Sequence, residues 1–344
     1  MLPKAGPLPN ANDLTPDASR VARFRQDLEA ITGEAPGADR RLGLAVSGGP
    51  DSMAMLVLAA AAYPPAAYPE AIRAATVDHG LRPEAAAEAR AVGDACAALG
   101  VPHETLVVSG LGSGNIQDRA RSARYALLRD WALAGGLRWV AVAHQRDDVA
   151  ETFLMRARRG AGLGGLAAMP RARLLGPDVQ LVRPLLDWPR CELAAVARAA
   201  GIACAADPSN TDPRFDRSRM RALIAGTPEL LAQRLALAAH NLRDAEQAIE
   251  WVVAREATAR LRVEEAGVWL DPDGLPREIC RRLAHLAVTR VRHDNANPAP
   301  WREQGLDRLL ASLDSGRPGT IAGVQARAIR GMWHFRMAPA RRSL

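Results

Sequence analysis

The sequence predicts an α/β fold in which a doubly wound parallel sheet is followed by a second, mainly helical domain. Short apolar runs alternate with longer amphipathic runs between residues 42 and 158, a pattern typical of parallel strands joined by crossover helices. A Gly-Gly turn links the first apolar run to the first helical run, and long helical runs begin at about residue 223. We therefore expect a disordered tail over 1–18, an α/β domain over 19–222 and a helical domain over 223–344.

The individual elements follow from hydrophobic spacing. Apolar residues recur at helical spacing from Val21 to Ile31, which predicts a helix that begins at the N-cap Ser19 and ends at Thr32. Further helices are expected at 51–62, 83–99, 116–134, 147–158 and 189–200, and strands at 42–46, 72–77, 104–108 and 139–143. Beyond these we expect helices over 223–256, 277–291 and 301–313 and a hairpin over 320–336.

Composition limits the kinds of partner and compartment. The chain has 344 residues, a net charge of +7 and a pI near 10.0, and the 45 basic residues are arginines except for Lys4. Arginine binds phosphate bidentately and stacks on bases, so this charge suits a polyanionic partner. The four cysteines are scattered, no apolar run is long enough to span a membrane, and the N-terminus lacks a signal-peptide core. We therefore expect reduced thiols, no zinc and a cytoplasmic protein.

The chemistry is expected first at the strand-turn-helix segment over 42–56. Two glycines let a ligand approach the backbone, and the free N–H groups and positive dipole end of the following helix face that turn. The segment predicts a phosphate cradle formed by Ser47, Gly48, Gly49, Pro50, Asp51 and Ser52. It resembles the pyrophosphate-binding loop of the N-type ATP pyrophosphatases, which cleave ATP between its α and β phosphates, and this resemblance implies that the six residues bind ATP. The other common phosphate loop requires Gly-Lys-Ser/Thr, which the chain lacks, and the dinucleotide pattern Gly-x-Gly-x-x-Gly does not follow this first strand.

Two other stretches end predicted strands on the same side of the sheet. Asp78 and His79 follow the second strand, and His144 follows the fourth. Ligands of such sheets bind beyond the carboxyl ends of the strands, so the three stretches should converge on one crevice.

Further motifs resemble the tRNA(Ile)-lysidine synthase family and occur in that family's order. They cover, with the phosphate loop, roughly residues 42–221. They are Val-Asp-His-Gly-Leu-Arg at 77–82, Arg-Ser-Ala-Arg-Tyr at 121–125, Ala-His-Gln-Arg-Asp-Asp-Val-Ala-Glu-Thr at 143–152, Arg-Gly-Ala-Gly-Leu-Gly-Gly-Leu at 159–166 and Asp-Pro-Ser-Asn at 207–210.

The resemblance implies an ATP-dependent ligase that joins L-lysine to C2 of the wobble cytidine of an isoleucine tRNA with a CAU anticodon. ATP adenylates the C2 oxygen with release of pyrophosphate, and the ε-amine of lysine then displaces AMP. The implied fold is the adenine-nucleotide α-hydrolase-like, Rossmann-like form of the doubly wound sheet. ATP is the co-substrate, Mg²⁺ the cofactor, and tRNA and lysine are the partners; no membrane partner is expected, and a homodimer is left open.

The residues also suggest roles of their own. Asp51 is the expected Mg²⁺ ligand and catalytic carboxylate, since magnesium prefers one or two carboxylates plus phosphate oxygens. Asp148 and Glu151, three apart on a helix, share a face and suit an ammonium group, whereas Asp147 points elsewhere. The resemblance assigns this segment, with His144, to the lysine substrate and to catalysis. The structural alternatives are a first-turn helix carboxylate for Asp51 and a solvated acidic face for the pair.

The remaining candidates bind substrates. Arg121 and the catalytic candidate Arg124 are expected to meet the lysine carboxylate or phosphates, and Asp78 and His79 to lie near the adenosine, unless they are a cap and a core histidine. The resemblance and the arginine cluster behind them, Arg214, Arg217, Arg219 and Arg221, suggest that Asp207, Ser209 and Asn210 line the tRNA site; the alternative is that these three form an ordinary turn. The chain departs from the family at residues 115–117. The family pattern there is Asn-x-Glu, whereas this chain has Asn-Ile-Gln, so Gln117 replaces the expected carboxylate and Asp118 lies beside it.

Three other functions share parts of this pattern. A tRNA 2-thiolating enzyme shares the loop and the adenylation of a pyrimidine, but it needs paired catalytic cysteines, which are absent. An amidating ligase of small molecules would not need the extra basic domain. A nucleotide sensor or RNA-binding scaffold would gain nothing from Asp51 and the carboxylate pair.

Overall fold

The computed structural model describes residues 16–80, 85–108, 116–205, 212, 214–295, 301 and 303–339. Two compact units meet in sequence between Arg243 and Asp244. No helix within these described ranges is both long and apolar enough to cross a membrane. The predicted disordered tail falls largely on residues 1–15, which lie outside the description.

The first unit contains a mixed sheet with helices on both faces. Its helices are α1 (Ala18–Thr32), α2 (Pro50–Ala62), α3 (Ala85–Ala98), α4 (Ile116–Ala134), α5 (Arg146–Ala157), α6 (Leu163–Leu166), α7 (Arg190–Ala199) and α8 (Asp216–Gly226). Its strands are β1 (Arg41–Ala45), β2 (Ile72–Asp78), β3 (His103–Val107), β4 (Leu137–Val142), β5 (Ala172–Gly176) and β6 (Val179–Val182). The long helix α9 (Ala232–Arg260) continues from this unit into the second.

The order of the strands is β3-β2-β1-β4-β6-β5, and among the described residues every pairing is parallel except that of β5 with β6. The chain moves outward from β1 to β3 and then returns to β4 on the other side of β1. The direction therefore reverses between β1 and β4, and their carboxyl ends flank the crevice where ligands of such sheets bind.

Apolar side chains cover both faces of the sheet. One face buries Leu42 and Leu44 of β1 against α1, α2, α3 and α7, and the other buries Val140 of β4 against Leu128 and Trp131 of α4. This confirms the doubly wound layout that the alternating pattern predicts.

The second unit combines helices with an antiparallel sheet. Its elements beyond α9 are β7 (Leu261–Glu264), β8 (Gly267–Leu270), α10 (Arg277–Asp294), α11 (Leu306–Asp314), β9 (Gly319–Ile321), β10 (Val324–Ile329) and β11 (Met332–Met337). In the described part of this unit the strand order is β7-β8-β11-β10-β9, and the apolar sides of α10 and α11 pack on one face of that sheet. The predicted hairpin corresponds to β10 and β11.

Several boundaries differ from those expected. The first helix is capped by Asp17, whose carboxylate accepts the Ser19 N–H at 2.9 Å, so Ser19 is not the N-cap. The division at 243/244 lies beyond the expected boundary at 222, which falls inside α8. In its described residues the second unit has more helix than strand, as expected, but it also holds the five-stranded sheet of β7 to β11, of which only the hairpin is predicted.

Candidate active site

The loop between β1 and α2 is shaped by its own hydrogen bonds. Gly48 takes the left-handed region at φ +81°, which favours glycine, and Gly49 is extended and precedes Pro50 at the first turn of α2. The Ser52 hydroxyl donates to the Gly49 carbonyl at 2.9 Å and accepts the Ser47 N–H at 3.1 Å. Because its proton is used in this way, Ser52 holds the loop in shape rather than offering a free donor.

The loop leaves the first N–H groups of α2 facing the crevice. A helix N-terminus carries about half a positive charge, and its first turn has no intrahelical partners. The Ser47 hydroxyl lies 3.2 Å from that of Ser52 and completes the donor set of the turn. The arrangement suits a phosphate group, as the sequence predicts.

Asp51 is a partly buried carboxylate in the first turn of α2. Its Oδ1 atom is enclosed and has no hydrogen-bond partner among the described residues. Burial, and secondarily the charge of Asp148, raise the pKa of Asp51 to about 6. A carboxylate that only stabilised the helix dipole would remain solvated, so the buried, unpaired oxygen fits a cation ligand better.

The N-terminus of α5 brings Gln145 and Asp148 to the same crevice. The Gln145 N–H donates to Oδ2 of Asp148 at 3.1 Å, and the Gln145 side-chain oxygen accepts the Asp147 N–H at 2.6 Å, so the two side chains form a capping box. Gln145 is fully buried, and its Nε2 has no hydrogen-bond partner within the described part of the chain. Its amide is an additional candidate for substrate contact that the sequence reading did not single out.

Glu151 is surrounded by three guanidinium groups. Its side chain is 2% exposed, and its two oxygens lie 3.2 Å from Nη2 of Arg190, 2.8 Å from Nε of Arg217 and 2.9 Å from Nε of Arg221. Burial alone would raise the pKa of Glu151, but the three cations outweigh it and lower this pKa. Glu151 is therefore a permanent anion at neutral pH.

Asp148 has fewer cationic neighbours. Its Oδ1 lies 3.2 Å from Nη2 of Arg217 and 3.5 Å from that of Arg190. Here burial outweighs the two guanidinium groups, and the nearby charge of Glu151 adds to it, so the pKa of Asp148 is raised. The two carboxylates thus share a helix face, as predicted, but differ in their affinity for protons.

His144 is held in its neutral form by a buried arginine. Arg183, 3% exposed, donates from Nε to Nδ1 of His144 at 3.4 Å and from Nη1 to the Pro170 carbonyl at 2.6 Å. A guanidinium only donates, so Nδ1 must be unprotonated and the imidazole proton lies on Nε2. Burial, followed by the charge of Arg183, lowers the pKa of His144 well below its usual range. His144 is therefore suited to donate a hydrogen bond to a substrate rather than to act as a cation.

Arginines from two elements gather around the ring of Tyr125 on α4. Their guanidinium carbons lie 5.3 Å (Arg121), 5.5 Å (Arg124) and 4.7 Å (Arg173) from the ring centroid. Burial would raise the pKa of Tyr125, but the surrounding arginines together lower it. Excess positive charge at this position suits an anionic group of a substrate.

The end of β2 joins the same cationic region. Oδ1 of Asp78 accepts the Gly80 N–H at 2.8 Å, which is the capping role left open by the sequence. His79 has a buried Nδ1 without a partner among the described residues, and burial, followed by the charge of Arg124, lowers its pKa. The charge of Arg124 lowers the pKa of both His79 and His144, so the ends of β2 and β4 lie near the same cation.

The arginines around α8 fall into two sets. Arg217 and Arg221, one turn apart, reach the carboxylates of α5. Arg214 pairs with Asp212 at 2.6 Å, and Arg219 pairs with Asp216. The predicted tRNA residues Asp207, Ser209 and Asn210 lie outside the described residues, as does Asn115.

Comparison with known proteins defines first the class and then the family. Residues 20–228 match the PP-loop domain family, which agrees with the phosphate loop described above. The fold is also similar to that of the U34-tRNA thiolase NcsA from Methanococcus maripaludis, with a TM-score of 0.52 over 66% of this chain and 79% of that chain. At 18% identity this likeness concerns the fold alone.

Three curated relatives are each named tRNA(Ile)-lysidine synthase. The chain is 41% identical to that of Zymomonas mobilis over 88% of its length and 90% of the relative, and 42% identical to that of Novosphingobium aromaticivorans over 94% and 95%. It is 49% identical to that of Ruegeria pomeroyi over 85% of its length and 70% of the relative. The chain belongs to the tRNA(Ile)-lysidine synthase family.

Proposed function

We propose that this protein ligates L-lysine to C2 of the wobble cytidine of a CAU-anticodon isoleucine tRNA at the expense of ATP. In the first step the C2 oxygen attacks the α-phosphorus and pyrophosphate leaves. In the second the ε-amine attacks C2, AMP leaves and the amine loses a proton. The tRNA substrate assigns the reaction to the cytoplasm.

The observation that carries the proposal is the meeting of two different binding features in one crevice. The loop of Gly48 and Gly49 with the buried, unpaired oxygen of Asp51 is suited to ATP and a cation, and it adjoins the carboxylates of Asp148 and Glu151. A nucleotide sensor would need the first feature only. An enzyme that joins an amino acid to an adenylated substrate needs both.

For adenylation the chain supplies charge stabilisation at the leaving group. The N–H groups of the Ser47 to Ser52 loop face the site where pyrophosphate gains negative charge. The unpaired carboxylate oxygen of Asp51 fits a Mg²⁺ ligand, with ATP oxygens completing the coordination. Bound there, Mg²⁺ would neutralise charge on the phosphates. Gln145 borders Asp51, so its amide lies at the same part of the crevice.

For lysine transfer the two carboxylates take different roles. The ε-amine has a pKa of about 10.4, so forming its neutral nucleophile at pH 7 costs roughly 4.6 kcal/mol. We assign the proton-accepting role to Asp148, whose raised pKa suits a base, and the anchoring of the α-ammonium to Glu151, whose lowered pKa keeps it charged. The cationic group around Tyr125 is assigned to the lysine carboxylate or an anticodon phosphate.

The test is incubation with ATP, radiolabelled lysine and a CAU-anticodon isoleucine tRNA. Label should enter the RNA, and the same tRNA carrying UAU should stay unlabelled because it lacks the wobble cytidine. Labelling that ignores the wobble base, or none at all with intact protein, would contradict the proposed function.

A further inference from the structure

The antiparallel sheet of the second unit has one face that the core of that unit does not use. Val268 of β8 and Phe335 of β11 pack with α10 and α11, so the residues that alternate with them point to the opposite, open face. Four of these residues are partners in register and form a row across four neighbouring strands: Arg262 of β7, Trp269 of β8, His334 of β11 and Arg327 of β10. The row has a guanidinium at each end and two rings in the middle.

The two rings form one stack. The ring centroids of Trp269 and His334 lie 4.2 Å apart, and their planes are 25° from parallel. The indole N–H donates to Oε2 of Glu264 at 3.0 Å, which fixes the orientation of the indole. Burial, followed by the charge of Arg336, lowers the pKa of His334, so its imidazole is neutral at pH 7. A fixed pair of uncharged rings offers a surface on which a further planar group can stack.

The indole has room for such a group on its second face. One face of Trp269 is covered by His334, so the other is turned toward β7. Its partner in register there is the exposed Arg262, and no guanidinium of a described residue lies over the indole. A nucleobase inserted at this position would stack on Trp269 on one side and on the Arg262 guanidinium on the other.

The charge of the open face suits the phosphates that flank such a base. Arg262 and Arg327 are exposed, and neither makes an ion pair or a side-chain hydrogen bond with another described residue. Neighbouring strands are about 4.8 Å apart, so about 14 Å separates these two arginines across three strand intervals. Arg336, in the next row, is exposed and donates to Oε1 of Gln325 at 3.3 Å. The carboxylate on this face, that of Glu264, is already engaged by the indole N–H.

We propose that the open face binds unpaired nucleotides of the tRNA outside the anticodon loop. One base stacks on Trp269, and the phosphates beside it pair with Arg262 and Arg327. The identity of the RNA rests on the proposed function, which assigns the anticodon to the crevice of the first unit. The base must be unpaired, because both faces of a base inside a double helix are already covered by its neighbours. The open face therefore adds affinity for a complete tRNA that an isolated anticodon arm does not receive.

The experiment is fluorescence anisotropy of labelled CAU-anticodon tRNA with the full-length protein over a range of salt concentrations. Trp269→Ala should bind tRNA on the order of 10-fold more weakly with an unchanged salt slope, since stacking releases no counterions. Arg262→Ala and Arg327→Ala should each reduce the slope by roughly 0.7, the value for one phosphate contact of a single strand. Trp269→Phe should keep most of the affinity, because phenylalanine retains a stacking face.

The isolated anticodon stem-loop is the matched ligand. It lacks the other unpaired nucleotides of the tRNA, so the wild type and Trp269→Ala should bind it equally. With complete tRNA, Trp269→Ala should raise KM for tRNA and leave kcat of lysine transfer unchanged, since the open face takes no part in the chemistry. A melting curve for each variant checks that the fold persists.

Arg290→Ala is the matched control variant. Arg290 is exposed on α10, which packs on the opposite face of the same sheet, so its tRNA affinity and salt slope should equal those of the wild type. An equal loss in this variant would overturn the inference.

Three further results would overturn it. The first is wild-type affinity for tRNA in folded Trp269→Ala together with unchanged salt slopes in Arg262→Ala and Arg327→Ala. The second is the same loss of affinity in Trp269→Ala for the anticodon stem-loop as for the complete tRNA. The third is a change in the sedimentation of Trp269→Ala without RNA, which would assign the open face to contacts between copies of this chain. A wild type that binds no tRNA would instead contradict the proposed function, and the inference with it.

Discussion

At the scale of single residues, Asp51 combines a cost in stability with a role in binding. Its pKa of about 6, against an ordinary value of 3.8, means that the interactions around Asp51 in the folded protein do not offset the desolvation of its ionised carboxylate. A shift of this size corresponds to about 2 to 3 kcal/mol at neutral pH. Such a cost is expected where a group awaits a ligand.

The first prediction is that Asp51→Asn is more stable than the wild type and inactive in adenylation. The substitution removes the buried charge, so the free energy of unfolding at pH 7.5 should rise by about 2 kcal/mol. Loss of the cation ligand should lower AMP production by about 100-fold or more. Chemical denaturation and an AMP assay measure the two effects.

The sign of the pH dependence provides the control. Folding raises the pKa of Asp51, so its ionised carboxylate lowers the free energy of unfolding of the wild type by the full amount above pH 6 and not at all below about pH 4. The stability difference between Asp51→Asn and the wild type should therefore vanish on acidification through that interval. A difference that is constant with pH, or near-normal AMP production by the folded variant, would refute the role given to Asp51.

The second prediction separates Asp148 from Glu151. Asp148→Asn should mainly lower kcat for lysine transfer and alter its pH profile, because the proton acceptor is lost. Glu151→Gln should mainly raise KM for lysine, and it should also lower stability, since three guanidinium groups lose their shared partner. Steady-state kinetics at several pH values distinguish the two variants.

Both variants are expected to retain adenylation of tRNA, which serves as the internal control. The same rise in KM with unchanged pH dependence in both would reject the divided roles. Unchanged lysine transfer in both would reject the site itself.

The sequence predicts the residues that carry a local signature and misses those that depend on distant packing. Asp51, Asp148 and Glu151 follow from position in a helix. Gln145 and Arg183 were not singled out, because the unpaired amide of the former and the imidazole contact of the latter arise only when separate segments meet. Gln145 had one local signal, its position three residues before Asp148 at a helix start.

At the scale of elements, the N-termini of α2 and α5 do most to build the site. Each follows a central strand, β1 or β4, and each has its first turn at the carboxyl edge of the sheet. The loop before α2 carries the phosphate cradle, and the capping box of α5 fixes Asp148. Both follow from local sequence rules, which is why they could be predicted.

The third prediction concerns the second set of arginines around α8. Arg214 pairs with Asp212 and Arg219 pairs with Asp216; both arginine side chains are exposed, and ion pairs at exposed side chains are weak. If both bind phosphate, replacing either by Ala should reduce the salt slope of tRNA binding by roughly 0.7 to 0.9. Filter binding across a range of salt concentrations measures it.

Arg138→Ala is a suitable control, since Arg138 is exposed near the amino end of β4, away from the crevice edge. Its salt slope should match that of the wild type. Equal slopes for the wild type and both α8 variants would assign Arg214 and Arg219 a structural role.

Other elements were missed for physical reasons. The strands β5 and β6 are short, and β5 contains Arg173, so neither shows a long apolar run. In the second unit, β7 and β8 are four residues each and follow a long helix. Their hydrophobic pattern is too short to be distinguished from that of the preceding helix. Asp17 and Ser19 are both good N-cap residues, and spacing alone does not choose between them.

At the scale of the whole molecule, the arginines that give the chain its net charge of +7 are not all available to bind a partner. Many arginines are used inside the protein: Arg190, Arg217 and Arg221 neutralise α5, and Arg183 fixes His144. The arginines around Tyr125, in contrast, remain available to bind an anion. Composition alone suggests a polyanionic partner, but only the structure separates the structural arginines from those that face the crevice.

The family expected from the motif series is confirmed by relatives that match over most of their own length. The order of motifs could be read from the sequence because each lies on one short segment. The boundary between the two units could not, because α9 crosses it without a break in helical pattern.

The central claim is that one crevice adenylates a tRNA and then transfers lysine to it. The most direct measurement supplies ATP labelled in the α-phosphate, CAU-anticodon tRNA and no lysine, followed by a chase with unlabelled lysine. The account predicts that label enters the RNA in the first stage and leaves as AMP in the second, while Asp148→Asn holds the labelled RNA through the chase. Label that never enters the RNA, or labelled RNA that lysine does not discharge in the wild type, would contradict it.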